Sequence, residues 1–188
     1  MSSSNLPMLA DNVATQGIVF TRTEADIAGS IDEKALGFAC IELIGKLENE
    51  FARAKDFQTT DYVDEAASTA RKMLEPLKAF SNEFLTGDAK MQADEEISKA
   101  LAVSDTYDEV LKTRPLGNAL LRTFWKADEV EAIRDAHAKL GESLIRATAA
   151  ALYHGIMLLG FDTPMGQEID QSTVVFVTEL NQSWTYAS

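Results

Sequence analysis

The chain has 188 residues, a length that suits one domain or one domain with appended arms. Its hydrophobic fraction of 46% and charged fraction of 25% are typical of globular proteins and argue against disorder of the whole chain. The formal net charge is −13, with 30 acidic and 17 basic residues, which argues against direct binding to nucleic acid or to an anionic membrane surface.

The N-terminal residues and the cysteine content predict a cytoplasmic protein. Residues 1–16 have no basic stretch followed by an apolar one, so they predict no signal peptide. No uncharged apolar run reaches the ~18 residues of a membrane-spanning helix. Cys40 is the single cysteine, which excludes an intrachain disulfide framework and a multi-cysteine zinc site.

The first half of the chain predicts an arm followed by helices. Residues 1–29 are mostly small and polar, apart from a short β-prone run at 18–21. Ser30 and Glu33 have the spacing of a capping box and predict the start of a helix. Apolar residues then recur every three or four positions up to residue 54, namely Leu36, Cys40, Leu43, Leu47, Phe51 and Ala54.

A second helix is predicted from a heptad-like row of apolar residues, namely Val63, Ala66, Ala70, Met73, Leu77, Phe80 and Phe84. Pro76 lies inside this row and predicts a kink or two abutting helices, because proline removes one backbone hydrogen bond and clashes with the preceding turn. Residues 88–112 predict a further, acidic helix, with a break near Ser104 as an alternative.

A long helix is predicted over residues 128–159. Asp128 and Glu131 have capping-box spacing at its start, Gly160 suits the left-handed position at its end, and Pro164 prevents continuation. The stretch from Ala147 to Phe161 carries no formal charge, and it predicts a buried end of this helix.

The C-terminal segment contains a run that favours a strand, with a helix as the alternative. Residues 173–178 are dense in β-branched side chains, which favour a strand over a helix. This run could pair with residues 18–21 or with a neighbouring chain. Candidate docking or assembly residues here are Val175, Phe176, Val177, Trp184 and Tyr186, with the two C-terminal aromatic side chains expected to dock on their own bundle or on a partner.

These elements predict an all-α protein, a helical bundle of about five or six helices with extended terminal arms and room for one short β pairing of 18–21 and 173–178. The domain division is an N-terminal arm at 1–29, a bundle at 30–161 and a C-terminal arm or docking segment at 162–188.

The long helix holds the two histidines, His137 and His154, on its apolar side. They are 17 residues apart, roughly 25 Å along a helix axis, so one metal ion cannot bridge them. We interpret both as core residues and as candidate pH-sensitive groups, because burial shifts the protonation of an imidazole easily.

The same helix has a row of small residues at four-residue spacing, namely Ser143, Ala147, Ala151 and Gly155. Small side chains in one row allow another helix to approach closely. The row therefore predicts either tight packing inside the bundle or a subunit interface.

The sequence supplies no catalytic, cofactor-binding or metal-binding set. It has no phosphate-binding loop, no dinucleotide-binding turn and no nucleophile elbow. Cys40 lies on an apolar seam, where a thiol is expected to be inert. Adjacent carboxylates such as Asp94 and Glu95 point in different directions from a helix and predict a solvated face.

Three functional hypotheses follow. The first is a non-enzymatic acidic protein that acts through protein–protein interaction or self-assembly as a homo-oligomer, and we favour it. The second is an acidic inhibitor or decoy that binds the basic surface of a nucleic-acid-binding protein. The third is a helical enzyme or ligand-binding protein with a pocket near His137 or His154.

Overall fold

The computed structural model describes residues 7–14, 17–18, 32–55, 59–112 and 127–184. Within these ranges the chain forms six helices and no strand: α1 (Met8–Ala14), α2 (Glu33–Lys55), α3 (Thr59–Phe84), α4 (Gly87–Lys112), α5 (Ala127–Leu159) and α6 (Pro164–Trp184). The prediction of an all-α helical bundle is confirmed.

The apolar seams predicted for α2 and α3 lie in the core. Their fully buried members include Leu36, Cys40 and Leu47 on α2, and Ala70, Met73 and Leu77 on α3. Asp32 caps α2, because its carboxylate accepts a hydrogen bond from the Lys34 backbone N–H at 3.1 Å. Ser30, predicted as the cap, lies outside the described residues.

The structure excludes two predicted interruptions, namely two abutting helices at Pro76 and a break near Ser104, while a kink at Pro76 stays a prediction. α3 continues as one element through Pro76, so the alternative of two abutting helices is excluded. α4 continues through Ser104, whose hydroxyl donates a hydrogen bond to the carbonyl oxygen of Ala100 at 2.9 Å. The Ser104 hydroxyl therefore makes its hydrogen bond to the preceding turn, and the helix continues.

Helices α3 and α4 run in opposite directions. Between α3 and α4, Ser81 donates to the carboxylate of Asp94 at 2.7 Å, and Arg71 pairs at the other end of the two helices with Asp105 and Asp108. These contacts fix α3 and α4 as an antiparallel pair. The exposure of the three ion-pairing groups limits their contribution to stability to about 1 kcal/mol or less per pair.

α5 is the central helix, because it packs against each of the other five helices. All ten residues from Ala147 to Ile156 are buried, so α5 is enclosed on every side along this stretch. A helix that is apolar all round is stable in water only when surrounded in this way. Gly160 ends α5 with a φ of +89°.

The strand predicted for 173–178 is wrong, and so is its pairing with 18–21, because 173–178 lies inside α6. Residues 19–21 lie outside the described part of the chain. The inward side chains of α6 recur at helical spacing, namely Ile169, Thr173, Phe176, Val177, Leu180 and Trp184. Burial of each large apolar side chain contributes roughly 1.5–3 kcal/mol, more than the propensity cost of the β-branched residues, which is about 0.7 kcal/mol or less each.

The start of α6 explains the sequence Thr163-Pro164. The Thr163 hydroxyl accepts a hydrogen bond from the Gly166 N–H at 3.0 Å, which makes Thr163 the cap, and Pro164 is the first helical residue. Proline suits that position because its missing N–H has no partner within a helix. Pro164 therefore begins a helix as well as following one.

α1 docks on α6 through a buried carboxylate. The side chain of Asp170 on α6 accepts hydrogen bonds from the backbone N–H groups of Met8 at 2.7 Å and Leu9 at 2.8 Å. Leu9 and Val13 of α1 are fully buried beneath it. Asp170 thus caps a helix from a position more than 160 residues away in the sequence.

Candidate functional site

An aromatic cluster joins α2, α4, α5 and α6 in the core. It consists of Phe51, Tyr107, His137, Phe176 and Trp184, which are all buried. The indole of Trp184 stacks on the His137 imidazole with a centroid separation of 5.3 Å and on the Phe51 ring at 6.2 Å. The end of α6 is therefore held by its own bundle, through the aromatic side chain predicted to dock.

His137 and His154 are 0% and 3% exposed, so both lie in the core. Burial lowers the pKa of each imidazole to about 4. The Nε2 atom of His154 is 3.0 Å from Oε1 of Gln92, which assigns the ring proton to that nitrogen and makes it the donor. Both histidines are neutral at pH 7 and enclosed by protein.

The row of small residues faces the interior of the chain. Ser143, Ala147, Ala151 and Gly155 are all buried. A Cβ atom at Gly155 would lie 3.0 Å from the Cys40 sulfur and 3.1 Å from the Phe80 ring, so α2 and α3 approach α5 closely at this point. The structure places this row in contact with helices of the same chain.

Cys40 is fully buried, and burial raises the pKa of its thiol to about 12. Its sulfur is therefore protonated at pH 7, and thiolate chemistry requires both deprotonation and access. Among the described residues no group of three or more His, Cys, Asp or Glu side chains is placed to hold a metal ion.

The predicted assembly residues on α6 divide between the core and the surface. Phe176 and Val177 are buried, whereas Val175 is 66% exposed. Tyr186 lies outside the described residues. Because this segment is a helix, Phe176 and Val177 face the core while the neighbouring Val175 faces solvent.

Sequence reasoning missed a row of residues on α2, which we call the α2 outer face; all are exposed except the half-buried Gly45. Its members recur at spacings of four and three, namely Lys34, Phe38, Ile41, Gly45, Glu48 and Ala52. Phe38 is 66% exposed and Ile41 is 44% exposed, and these are the two exposed large apolar side chains that share one helix within the described residues. In the sequence this face is visible as a second heptad row beside the buried seam, and that row was the signal from which it could have been predicted.

Beside this face, a shallow groove runs between α2 and α3. It has a volume of about 80 Å³ and is lined by Ala39, Glu42, Leu43 and Lys46 of α2 and by Pro76, Ala79, Phe80, Glu83 and Phe84 of α3. Pockets that enclose a small organic molecule are typically about 300–1,000 Å³ in volume. This groove is therefore too small to enclose such a ligand.

Exposed acidic side chains occur on all six helices, for example Asp11 on α1, Glu65 on α3, Glu95 on α4 and Glu168 on α6. The acidic charge is thus distributed over the bundle. None of the helices within the described ranges has the length and apolarity that a membrane crossing requires.

No protein-family model matches the chain, and no curated protein or solved structure is significantly similar to it.

Proposed function

We propose that this chain is a non-enzymatic acidic helical protein that acts through protein–protein contact, and that the α2 outer face is its contact surface. The observation that carries the proposal is the exposure of Phe38, 66% of whose surface is open to water, together with Ile41 one helical turn away. Large aromatic side chains dominate the energy of protein interfaces when a partner covers them.

The neighbours of Phe38 favour a contact surface. A Cβ atom on Gly45 would meet no other atom within 4 Å, so this position leaves the helix backbone accessible to an incoming side chain. Lys34 and Glu48 flank the apolar residues. An apolar centre with a charged rim is the usual composition of such a surface.

The interior supports the non-enzymatic part of the proposal. The most reactive side-chain types in the described core, Cys40, His137 and His154, are enclosed by packed helices. Burial also holds all three in their uncharged forms at neutral pH. A substrate would need to open the bundle to reach any of them.

Site-specific photo-crosslinking in living cells tests this proposal. Ile41 is replaced by a photoreactive phenylalanine derivative, and Ala138, an exposed residue of α5, receives the same group in a matched control. We expect discrete crosslinked products at position 41 and a diffuse background at position 138. Equal background at both positions would overturn the proposal, whichever partner is considered.

A further inference from the structure

The order of side chains along the α2 outer face identifies one occupant. From its first turn to position 48 the face presents a lysine, two large apolar side chains, a glycine and a glutamate, namely Lys34, Phe38, Ile41, Gly45 and Glu48. Lys34 and Glu48 are 14 residues apart, roughly 21 Å along the helix. Lys34 and Glu48 therefore lie at opposite ends of this row.

In an antiparallel copy of α2 the order of these side chains is reversed, so the lysine lies opposite the glutamate and a large apolar side chain lies opposite the glycine. When a second α2 lies antiparallel across the first, the Lys34 end of each helix meets the Glu48 end of the other. Phe38 of each chain then lies near Gly45 of the other, where the absence of a side chain leaves space. Position 41 is midway between 34 and 48, so the two Ile41 side chains meet at the two-fold axis. A two-fold contact requires a patch that complements itself in this way.

The two charged groups are available for such a contact. The ion pairs recorded on α2 within the described residues join Lys46 to Glu42 at 3.3 Å and Arg53 to Glu50 at 3.6 Å. Both pairs lie within one chain and do not involve Lys34 or Glu48. The side chains of Lys34 and Glu48 are exposed.

We infer that the partner of the α2 outer face is a second copy of this chain, bound through an antiparallel α2–α2 contact about a two-fold axis. The inference rests on the proposed function, which does not specify the partner protein, and it identifies that partner as the same chain. Phe38 and Ile41 form the apolar centre of the contact, and Lys34 pairs with Glu48 of the second copy at each end.

Light scattering of the full chain over a concentration series tests the dimer. We expect the molar mass to rise from that of one chain to that of two as concentration increases toward ~1 mM. Phe38→Asp is expected to raise the dimer Kd at least ~30-fold, as for a central interface residue. A single-chain mass at every concentration overturns the inference.

Charge reversal tests the antiparallel arrangement. Lys34→Glu and Glu48→Lys each turn two attractive contacts into repulsive ones, and each is expected to raise the dimer Kd roughly 10-fold. The double variant restores both pairs and is expected to return the Kd to within about threefold of the parent. Lys139→Glu, on an exposed position of α5, makes the same charge change as Lys34→Glu and is expected to leave the Kd unchanged.

Two outcomes overturn the arrangement: a double variant that dimerises no better than either single variant, or a Lys139→Glu effect as large as that of Lys34→Glu. Circular dichroism of each variant verifies that it is folded. Failure of this inference remains distinct from failure of the proposed function. A monomeric chain that still crosslinks at position 41 to a different protein refutes the second copy and leaves protein–protein contact in place.

Discussion

The indole Nε1 of Trp184 donates a hydrogen bond to the backbone carbonyl oxygen of His137 at 3.0 Å, and the same ring stacks on the His137 imidazole. This contact fixes the last turn of α6 against the N-terminal third of the chain's central helix. It also passes directly over Gly141, where a Cβ atom would overlap the indole. The C-terminal helix is therefore an integral part of the core.

Trp184→Ala is expected to lower the free energy of unfolding by about 3–5 kcal/mol, because it removes a large buried ring and leaves a cavity. Urea denaturation followed by circular dichroism measures the change. Val175→Ala on the same helix is the control, and it is expected to change stability by ~0.5 kcal/mol or less because Val175 is 66% exposed. Equal effects of the two variants would contradict this role of Trp184.

Asp170→Ala is expected to release α1 from the bundle. The substitution removes the carboxylate that accepts hydrogen bonds from the backbone N–H groups of Met8 and Leu9. Loss of a helix cap costs about 0.5–2 kcal/mol of stability. Hydrogen exchange is expected to accelerate at the amides of Met8–Ala14 more than elsewhere in the chain. Asp11→Ala removes an exposed acid of α1 and serves as the control; unchanged protection of α1 in Asp170→Ala would refute the cap.

Stability is expected to fall as pH falls from about 6.5 toward 4. The pKa of each histidine is lowered to about 4 in the folded protein by burial, so the unfolded chain binds more protons in this window and protonation favours unfolding. At pH 5 the loss is roughly 2 kcal/mol for each histidine. The stabilising contribution is complete only above the unfolded pKa of ~6.5.

The chain has two histidines, so a double variant isolates this effect. His137→Phe with His154→Gln is expected to flatten the dependence of the urea midpoint between pH 7 and pH 5. Burial raises the pKa of the Asp94 carboxyl, but hydrogen bonds from Lys90 and Ser81 and the charge of Lys90 lower it by more. Because the net pKa of Asp94 is below its usual range, this group titrates at lower pH than the histidines. A double variant that keeps the full pH dependence would contradict the assignment.

Ala151→Leu is expected to cost ~1–3 kcal/mol, because Ala151 is fully buried and a larger side chain would overpack the close helix contact. Thermal denaturation measures the effect. Ala138→Leu, on the exposed side of the same helix, is the matched control and is expected to be close to neutral. An unchanged melting temperature for Ala151→Leu would refute tight packing at this row.

The helical seams were predictable because periodicity reports burial directly. Leu36, Leu47, Met73 and Leu77 recur at helical spacing and occupy the core. The uncharged half of α5 was also predicted as buried. These predictions depend on side chains close in sequence, where a single helix determines which residues share a face.

Residues 173–178 form a helix and not the predicted strand, because the tertiary contacts of α6 outweigh the local β propensity of these residues. Thr173, Phe176 and Leu180 lie on one helical face, and their burial against α5 and α2 determines the structure of the segment. The cap that Asp170 provides for α1 depends on residues far apart in the chain. No local pattern indicates it.

The α2 outer face was not predicted from the sequence for a different reason. Phe38 and Ile41 belong to a second helical row beside a stronger buried seam, and apolar residues close to a seam are readily assigned to it. Their exposure follows only from the arrangement of α3, α5 and α6 around α2. The candidate site could therefore be identified only from the fold, whereas most core residues could be predicted from the sequence.

The rate of thiol labelling at position 41 in living cells tests the role of the α2 outer face most directly. Ile41→Cys introduces an accessible thiol, while Cys40 is buried and its sulfur is expected to react slowly. If the face contacts a partner, labelling in cells is expected to be several-fold slower than in dilute purified protein, with no such difference for Ala138→Cys. Equal relative rates for both variants would contradict the claim that this face is a contact surface.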